Sequence, residues 1–130
     1  MEAFLKEFES LATAYLHHLS TADLDGLLQL FAPDAEVLSP LYGRQPATDF
    51  YTQLFADTTQ STLTFKDCSV NPGQRSGCIF FNYGWQLANG TAVDFDVVDY
   101  LKLNEAGKIA FLQIIYDTVQ SRPAWESPQG

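Results

Sequence analysis

Hydrophobic residues recur with two different periods along this chain, and the change of period separates a helical half from a strand half. Near the start, Phe4, Phe8, Leu11, Tyr15 and Leu19 are spaced by four, three, four and four positions. This spacing places them on one face and predicts an amphipathic helix over residues 2–20. Beyond residue 60, apolar and polar residues alternate, which is typical of strands with one buried face.

Two further helices are predicted before the pattern changes. The segment 20–31, STADLDGLLQLF, offers Ser20 or Thr21 as an N-cap and has acidic residues in its first turn. Its predicted buried side consists of Leu24, Leu27, Leu28 and Phe31. Pro33 is expected to end this helix, and residues 36–46 read as a short strand and a loop. The third helix follows Pro46. Its predicted inward-facing residues are Phe50, Tyr51, Leu54 and Phe55.

The strand half contains two hairpin signals. Asn89-Gly90 is a strong turn signal, because both residues tolerate positive φ, and it joins the predicted strands 77–88 and 91–103. A second turn at residues 104–107 leads into a last strand over 108–119. Helices followed by an antiparallel meander predict an α+β cone, with a curved antiparallel sheet of four to six strands around three N-terminal helices. One domain is expected over residues 1–120, with a C-terminal tail at 121–130.

One acidic residue breaks the alternation in strand 91–103. Asp94 and Asp96 share the presumed outer face, whereas Asp99 has the opposite parity. The other residues on the face of Asp99 are Val93, Phe95, Val97, Leu101 and Leu103. A carboxyl group in an apolar row is costly to ionise, so its pKa is expected to rise. A neutral Asp99 can donate a hydrogen bond, and a cone with an apolar interior can hold a small apolar ligand.

Composition restricts the partners of the protein. The formal net charge is −9 and the pI is about 4.3, so we expect neither nucleic acid nor an anionic membrane surface as a partner. No secretory signal and no apolar run of membrane-spanning length is apparent, which favours the cytoplasm. Cys68 and Cys78 form no metal-binding motif and are interpreted as reduced thiols, with a disulfide between neighbouring strands as the alternative. No metal and no organic cofactor is expected.

The order of the elements and two segments together resemble the nuclear transport factor 2-like superfamily, over roughly residues 1–120. The segments 23–35, DLDGLLQLFAPDA, and 97–116, VVDYLKLNEAGKIAFLQIIY, are similar to ketosteroid isomerase. The SnoaL-like polyketide cyclases are in the same superfamily. The resemblance implies a helical tyrosine at Tyr15, a protonated strand acid at Asp99 and a base within residues 37–43. Ser39 stands there instead, so the resemblance implies an oxyanion hole without its usual base.

The resemblance to the cyclases suggests another acid–base residue. An aspartate in their last strand is similar in place to Asp117, whose alternative interpretation is a turn cap or an ion pair with Arg122. His18 lies one helical turn after Tyr15 and is a less favoured base, since a hydrated helix histidine explains it as well. The catalytic candidates are therefore Tyr15, Asp99 and Asp117. The candidate ligand-binding residues are Ser39, Tyr42, Tyr51, Phe81, Trp85 and Phe95.

Three functions remain compatible with these residues. The first is a cofactor-independent isomerase or cyclase in which Tyr15 and Asp99 stabilise negative charge on an oxygen. The second is a binding module of the same fold that lacks the base and holds a small, largely apolar molecule with an oxygen function. The third is a structural or assembly role, in which aromatic side chains close the pocket. Tyr15 and Asp99 could also form only a structural hydrogen bond with each other. A homodimer through the outer sheet face is expected from the resemblance.

Overall fold

The computed structural model describes residues 2–127, which form four helices packed with one six-stranded sheet. The helices are α1 (Glu2–Ser20), α2 (Leu24–Leu28), α3 (Ala47–Ala56) and α4 (Ser121–Glu126). The strands are β1 (Phe31–Ser39), β2 (Gly43–Pro46), β3 (Thr58–Asn71), β4 (Ser76–Leu87), β5 (Ala92–Leu103) and β6 (Ile109–Ile115). A short 3-10 turn, Pro72–Gln74, connects β3 to β4. The predicted α+β class is confirmed.

The strand order of the sheet is β2-β1-β6-β5-β4-β3. Four of its neighbouring pairs are antiparallel, and β1 runs parallel to β6. The sheet is therefore mixed, whereas the sequence analysis predicted antiparallel pairing throughout. The alternation of polar and apolar residues in the last three strands predicts hairpins between neighbouring segments. It does not predict the partner of an early strand, and β1 pairs with β6, which lies near the other end of the chain.

The first helix has the predicted bounds and the predicted buried face. Phe4, Phe8, Ala12, Tyr15 and Leu19 are all buried, which follows from their spacing on one side of α1. They pack with the inward residues of the sheet into one continuous core. This arrangement directs the Tyr15 side chain into the space between α1 and the sheet.

The second helix is shorter than the sequence predicted. It begins at Leu24, because the N-cap is Asp23, whose carboxylate accepts a hydrogen bond of 3.0 Å from the Gly26 amide. Phe31 belongs to β1 and not to the helix. Pro33 does not stop the strand, because it is exposed and lies where the pairing with β6 is irregular, between Phe31 and Glu36.

Both predicted turns of the strand half are present. Gly90 has φ +93° and Gly107 has φ +81°, conformations that favour glycine. The inward face of β4 carries Ile79, Phe81, Tyr83, Trp85 and Leu87. In β5, Asp99 is buried and Asp94 and Asp96 are exposed, as parity predicted. The last strand ends at Ile115, four residues earlier than expected.

Part of the predicted C-terminal tail forms helix α4 and docks beside the sheet. The Asn89 side chain donates hydrogen bonds to the carbonyl oxygens of Ala124 (2.8 Å) and Ser127 (3.2 Å). Trp125 packs edge-to-face on Tyr42, with 5.2 Å between ring centroids. Residues 128–130 of the predicted tail lie outside the described residues. Among residues 2–127, no helix has the length and apolar character needed to span a membrane.

Candidate functional site

An aromatic cavity lies between helices α1 and α3 and the inner face of the sheet. Its lining comprises Tyr15, Leu19, Ser39, Tyr42, Phe50, Tyr51, Leu54, Phe81, Tyr83, Trp85, Phe95, Val97, Asp99, Ile114 and Tyr116. The space open to the centre of a water molecule is about 30 Å³. This is room for about two or three waters, since one water needs about 10–15 Å³ of such space. A larger ligand therefore needs side chains at the mouth to move.

Asp99 is the ionisable carboxyl residue of this apolar lining, and it is almost fully buried. Its side chain is 1 % exposed, between the buried residues Val97 and Leu101 of β5. The Oδ1 atom has no hydrogen-bond partner among the described residues. Burial raises the pKa of Asp99 to about 8, and the Tyr15 hydroxyl acts in the opposite direction. At neutral pH the carboxyl group is therefore mainly protonated, with one oxygen free for a ligand.

Two buried tyrosines meet beside Asp99. The hydroxyl groups of Tyr15 and Tyr51 are 2.7 Å apart and form a hydrogen bond in which either oxygen can donate. Burial raises the pKa of both phenols well above the usual value, and the charge of Asp99 acts in the same direction. Tyr51 was predicted to face inward and to be a candidate ligand-binding residue, and it is 0 % exposed. Its position in the apolar stripe of α3, next to Phe50, was the signal for burial.

Ser39 and Tyr42 lie at the end of the cavity formed by the β1–β2 turn. The Ser39 hydroxyl oxygen accepts hydrogen bonds from the backbone amides of Leu41 (3.3 Å) and Tyr42 (3.4 Å). The Tyr42 hydroxyl donates to Oδ2 of Asp57 over 2.6 Å. Gln53 donates to the other oxygen of Asp57 over 3.1 Å. The Asp57 contact fixes the Tyr42 ring at the mouth, and nothing in the sequence pattern pointed to it.

The aromatic residues of the sheet form the opposite wall, and their polar atoms are satisfied by β3. The Trp85 indole N–H donates to the Thr58 hydroxyl over 2.8 Å. The Tyr83 hydroxyl is 3.0 Å from that of Ser61. Because these groups already have partners, the wall presents mainly apolar ring surface to the cavity.

Phe81, Trp85 and Phe95, three of the candidate ligand-binding residues, line the cavity. Phe95 is half-buried and stacks on Tyr116, with 4.4 Å between ring centroids. Tyr42 and Tyr116 are half-buried as well. These three partly exposed rings mark the mouth of the cavity.

The two expected bases do not reach this cavity. Asp117 follows β6 and is exposed, so its predicted place in the last strand is wrong. Its Oδ1 accepts a hydrogen bond of 2.9 Å from the Val119 amide, which fits the turn-cap alternative. Nδ1 of His18 lies 3.2 Å from Oδ2 of Asp23, beside the N-cap of α2. Neither residue is part of the cavity lining.

The lining contains no Lys, Arg or His side chain among the described residues, so a bound anion would have no cationic partner there. Within residues 2–127, no group of three or more His, Cys, Asp or Glu side chains is placed to hold a metal ion. The chemical resources of the cavity are therefore hydroxyl groups, aromatic faces and one carboxyl group. This set suits hydrogen bonding to a neutral ligand or contact with a cation.

The sequence profile of the SnoaL-like domain family matches residues 12–112 of the chain. The chain belongs to this family. The matched region of this SnoaL-like domain begins within α1 and ends within β6, so it includes Tyr15 and Asp99. Membership confirms the resemblance to the nuclear transport factor 2-like superfamily that the sequence indicated.

Solved structures share the fold of this SnoaL-like domain at low sequence identity. TerC co-crystallised with polyporic acid is 20 % identical, with a TM-score of 0.77 over 93 % of this chain and 99 % of TerC. A Catenulispora acidiphila protein with a ketosteroid isomerase-like fold, in complex with trimethylamine, is 16 % identical, with a TM-score of 0.76 over 92 % and 94 %. The epoxide hydrolase/cyclase-like enzyme SalBIII is 16 % identical, with a TM-score of 0.75 over 90 % and 95 %.

Proposed function

We propose that the protein binds a small, largely apolar molecule and that its cavity hydrogen-bonds an oxygen of that molecule. The observation that carries this proposal is the free Oδ1 of Asp99, which is buried in the lining and has no partner among the described residues. A buried polar atom without a partner is unfavourable, and a ligand atom can supply the missing hydrogen bond.

Two donors are available to the ligand oxygen. Protonated Asp99 donates through its carboxyl hydrogen, and Tyr15 donates when its own oxygen accepts from Tyr51. The surrounding rings contact the apolar part of the molecule. The isomerase or cyclase function also requires a base, and Asp117 and His18 lie outside the cavity lining. Their positions favour a binding role in which neither of them takes part.

The proposal is tested with 4-fluorophenol as the ligand and fluorobenzene as the matched ligand without an oxygen, both followed by fluorine NMR. We expect 4-fluorophenol to bind more tightly. Tyr15→Phe should weaken it about fivefold, the effect of one hydrogen bond of about 1 kcal/mol. Asp96→Asn, on the outer face of the same strand, is the matched control and should bind normally. Equal affinity for the two ligands contradicts the proposal.

The pH dependence of binding tests whether the Asp99 carboxyl group donates a hydrogen bond to the ligand or only lies beside it. Affinity for 4-fluorophenol should fall as the pH rises through about 8, because the ionised carboxyl group no longer donates. Asp99→Asn keeps a donor at every pH, so its affinity should be constant between pH 6 and 8.5. A wild-type affinity that does not change over this interval shows that Asp99 is not the donor.

A small alkylammonium ion is a second candidate ligand. The lining has aromatic faces, a carboxyl group and no cationic side chain among the described residues, which suits a cation. The Catenulispora acidiphila protein of similar fold was crystallised with trimethylamine. Tetramethylammonium is the probe, and it should bind more tightly as Asp99 ionises above pH 8, the opposite of the phenol. The direction of the pH dependence therefore distinguishes the two ligand classes.

We also propose a homodimer through the outer face of the sheet. Apolar side chains are grouped there and charged residues surround them, as in many protein interfaces. The apolar group comprises Phe80, Val98, Tyr100, Phe111 and Ile115. Ile115 is 50 % exposed, and Ile115→Glu should shift the mass measured by light scattering from dimer to monomer. Val119→Glu is the control, since Val119 is 72 % exposed and follows the last strand. A wild-type monomer at micromolar concentration contradicts the dimer.

A further inference from the structure

We propose that Trp125 of helix α4 controls the entry of ligands into the aromatic cavity, because it holds the Tyr42 ring at the mouth. This proposal rests on the proposed function, since it concerns how the bound molecule reaches the cavity described above. The space open to the centre of a water molecule is about 30 Å³, which is too little for a molecule the size of a phenol. A ligand can therefore enter only when part of the mouth moves.

The Tyr42 ring is held by two other aromatic rings. Phe50, a buried residue of the lining, meets it edge-to-face with 5.4 Å between ring centroids. Trp125 meets it edge-to-face at 5.2 Å. Trp125 is half-buried and does not line the cavity itself, so it acts on the cavity through Tyr42. Trp125 is therefore a positioning residue for the mouth.

Helix α4 is the element at the mouth whose displacement should cost least. Helices α1 and α3 and the sheet supply most of the buried core, whereas α4 has six residues, of which Ser121 is buried. Its recorded backbone hydrogen bonds to turns stay within the same segment: the Arg122 amide donates to Thr118 (2.9 Å) and the Ser127 amide to Ala124 (3.3 Å). A helix this short is not stable alone. Its position therefore depends on side-chain contacts.

Side-chain hydrogen bonds tether α4 to two turns beside the mouth. Nη2 of Arg122 donates to the carbonyl oxygen of Pro40, in the β1–β2 turn, over 2.8 Å. The Asn89 amide, in the β4–β5 turn, donates to the carbonyl oxygens of Ala124 (2.8 Å) and Ser127 (3.2 Å). Neither tether reaches the buried core. A few bonds of ordinary strength can open locally while the rest of the domain stays folded.

This arrangement predicts an effect on rates more than on affinity. The contact between Trp125 and Tyr42 has to break when a ligand enters, forms again behind it, and has to break once more when the ligand leaves. Loss of the contact should therefore speed entry and exit by similar factors, roughly fivefold for an aromatic pair of ordinary strength. A residue that only stabilises the fold would not change these rates.

The first experiment needs no bound ligand, because Trp85 lines the cavity, is 2 % exposed and reports its accessibility. The chain has two tryptophans, so Trp125→Phe and Trp125→Ala each leave Trp85 as the fluorescent indole. Phenylalanine keeps a ring against Tyr42, and alanine does not. Acrylamide should quench Trp85 roughly fivefold more strongly in Trp125→Ala than in Trp125→Phe. An emission maximum typical of a buried indole shows that both variants are folded.

Arg122→Met tests the same inference while a ring stays in place. In the Trp125→Phe background it removes the hydrogen bond to the β1–β2 turn, and acrylamide quenching of Trp85 should rise up to about fivefold. Arg44→Met in this background is the matched control, because the exposed Arg44 guanidinium pairs with Glu36 at 3.0 Å and does not contact α4. Equal quenching in all of these variants overturns the proposal.

The second experiment measures the entry and exit of 4-fluorophenol from fluorine NMR line shapes. Trp125→Ala should raise both the association and the dissociation rate constant roughly fivefold, with little change in affinity. Trp125→Phe should keep rates close to those of the wild type. Rates that are the same in Trp125→Ala and the wild type overturn the proposal.

The two experiments separate this inference from the proposed function. If 4-fluorophenol binds as proposed and Trp85 is quenched equally in Trp125→Ala and Trp125→Phe, control of entry by Trp125 is wrong and the binding proposal stands. If quenching differs as expected and 4-fluorophenol does not bind to the wild type, α4 controls access to the cavity and the proposed function fails for this ligand class. The Arg122→Met comparison decides the question if Trp125→Ala does not fold.

Discussion

The burial of Asp99 predicts that the protein becomes less stable as the pH rises from 5 to 8. In the folded protein the carboxyl group keeps its proton up to a pH of about 8, whereas in the unfolded chain an aspartate releases it near pH 4. Folding therefore takes up a proton throughout this interval. The free energy of unfolding then decreases by about 1.4 kcal/mol for each pH unit.

The total effect is large for a domain of this size. Between pH 5 and 8 the contribution of Asp99 should fall by about 4 kcal/mol, a large share of the roughly 5–15 kcal/mol that stabilises a typical domain. Asp99→Asn has nearly the same shape and does not titrate. The difference in stability between the variant and the wild type should therefore shift by this amount in favour of the variant as the pH rises.

The assay is urea unfolding at several pH values, followed by tryptophan fluorescence. Asp96→Asn is the matched control, because Asp96 lies on the exposed face of the same strand, where Lys66 contacts it at 3.0 Å. That contact and a hydrogen bond from Asn82 lower the pKa of Asp96, so the carboxylate is ionised in both states above pH 5. The difference between this control and the wild type should not change from pH 5 to 8.

Two results would refute the reasoning about Asp99. One is a stability difference between Asp99→Asn and the wild type that is the same at pH 5 and pH 8. The other is a pKa near 4 for the Asp99 carboxyl carbon in an NMR titration. Either result means that Asp99 is hydrated or paired with a cation in solution, and its role as a neutral donor would then have no physical basis.

Two substitutions test the packing of the core. Tyr51→Phe removes the partner of the Tyr15 hydroxyl and should lower the free energy of unfolding by about 1 kcal/mol in urea; an unchanged value would mean that water replaces the bond. Gly77→Ala would place a Cβ atom 2.6 Å from the ring of buried Phe8, and we expect a loss of about 1–3 kcal/mol. Gly84→Ala is its control, since the nearest atoms would be 3.5 Å away, and equal losses for both would contradict the steric argument.

Most of the site residues could be placed from the sequence, because alternation along a strand and spacing along a helix are local properties. Alternation along β5 was enough to place Asp99 on the buried face, and the stripe of α1 was enough to direct Tyr15 inward. Ser39, Phe81 and Trp85 also line the cavity, in keeping with their predicted positions. Each of these predictions needed only the geometry of one element and the rule that apolar faces are buried.

The features of the site that could not be predicted from the sequence depend on contacts between elements that are far apart along the chain. The hydrogen bond between Tyr15 and Tyr51 joins two helices, and the bond between Tyr42 and Asp57 joins a turn to the end of α3. Asp117 was assigned to a strand because the alternation continues past Ile115, but pairing with β5 ends there.

The parallel pairing of β1 with β6 has a consequence for how the chain folds during synthesis. The hairpins β3–β4 and β4–β5 link neighbouring segments and are able to form as soon as they leave the ribosome. Val37 pairs with Leu112, so β1 must wait until almost the whole domain has been made. Until then, β1 and the open edge of β5 expose unpaired backbone N–H and C=O groups, which can pair with strands of other chains. Closure of this one ladder is therefore expected to be a late event, and substitutions there should slow folding less than they speed unfolding.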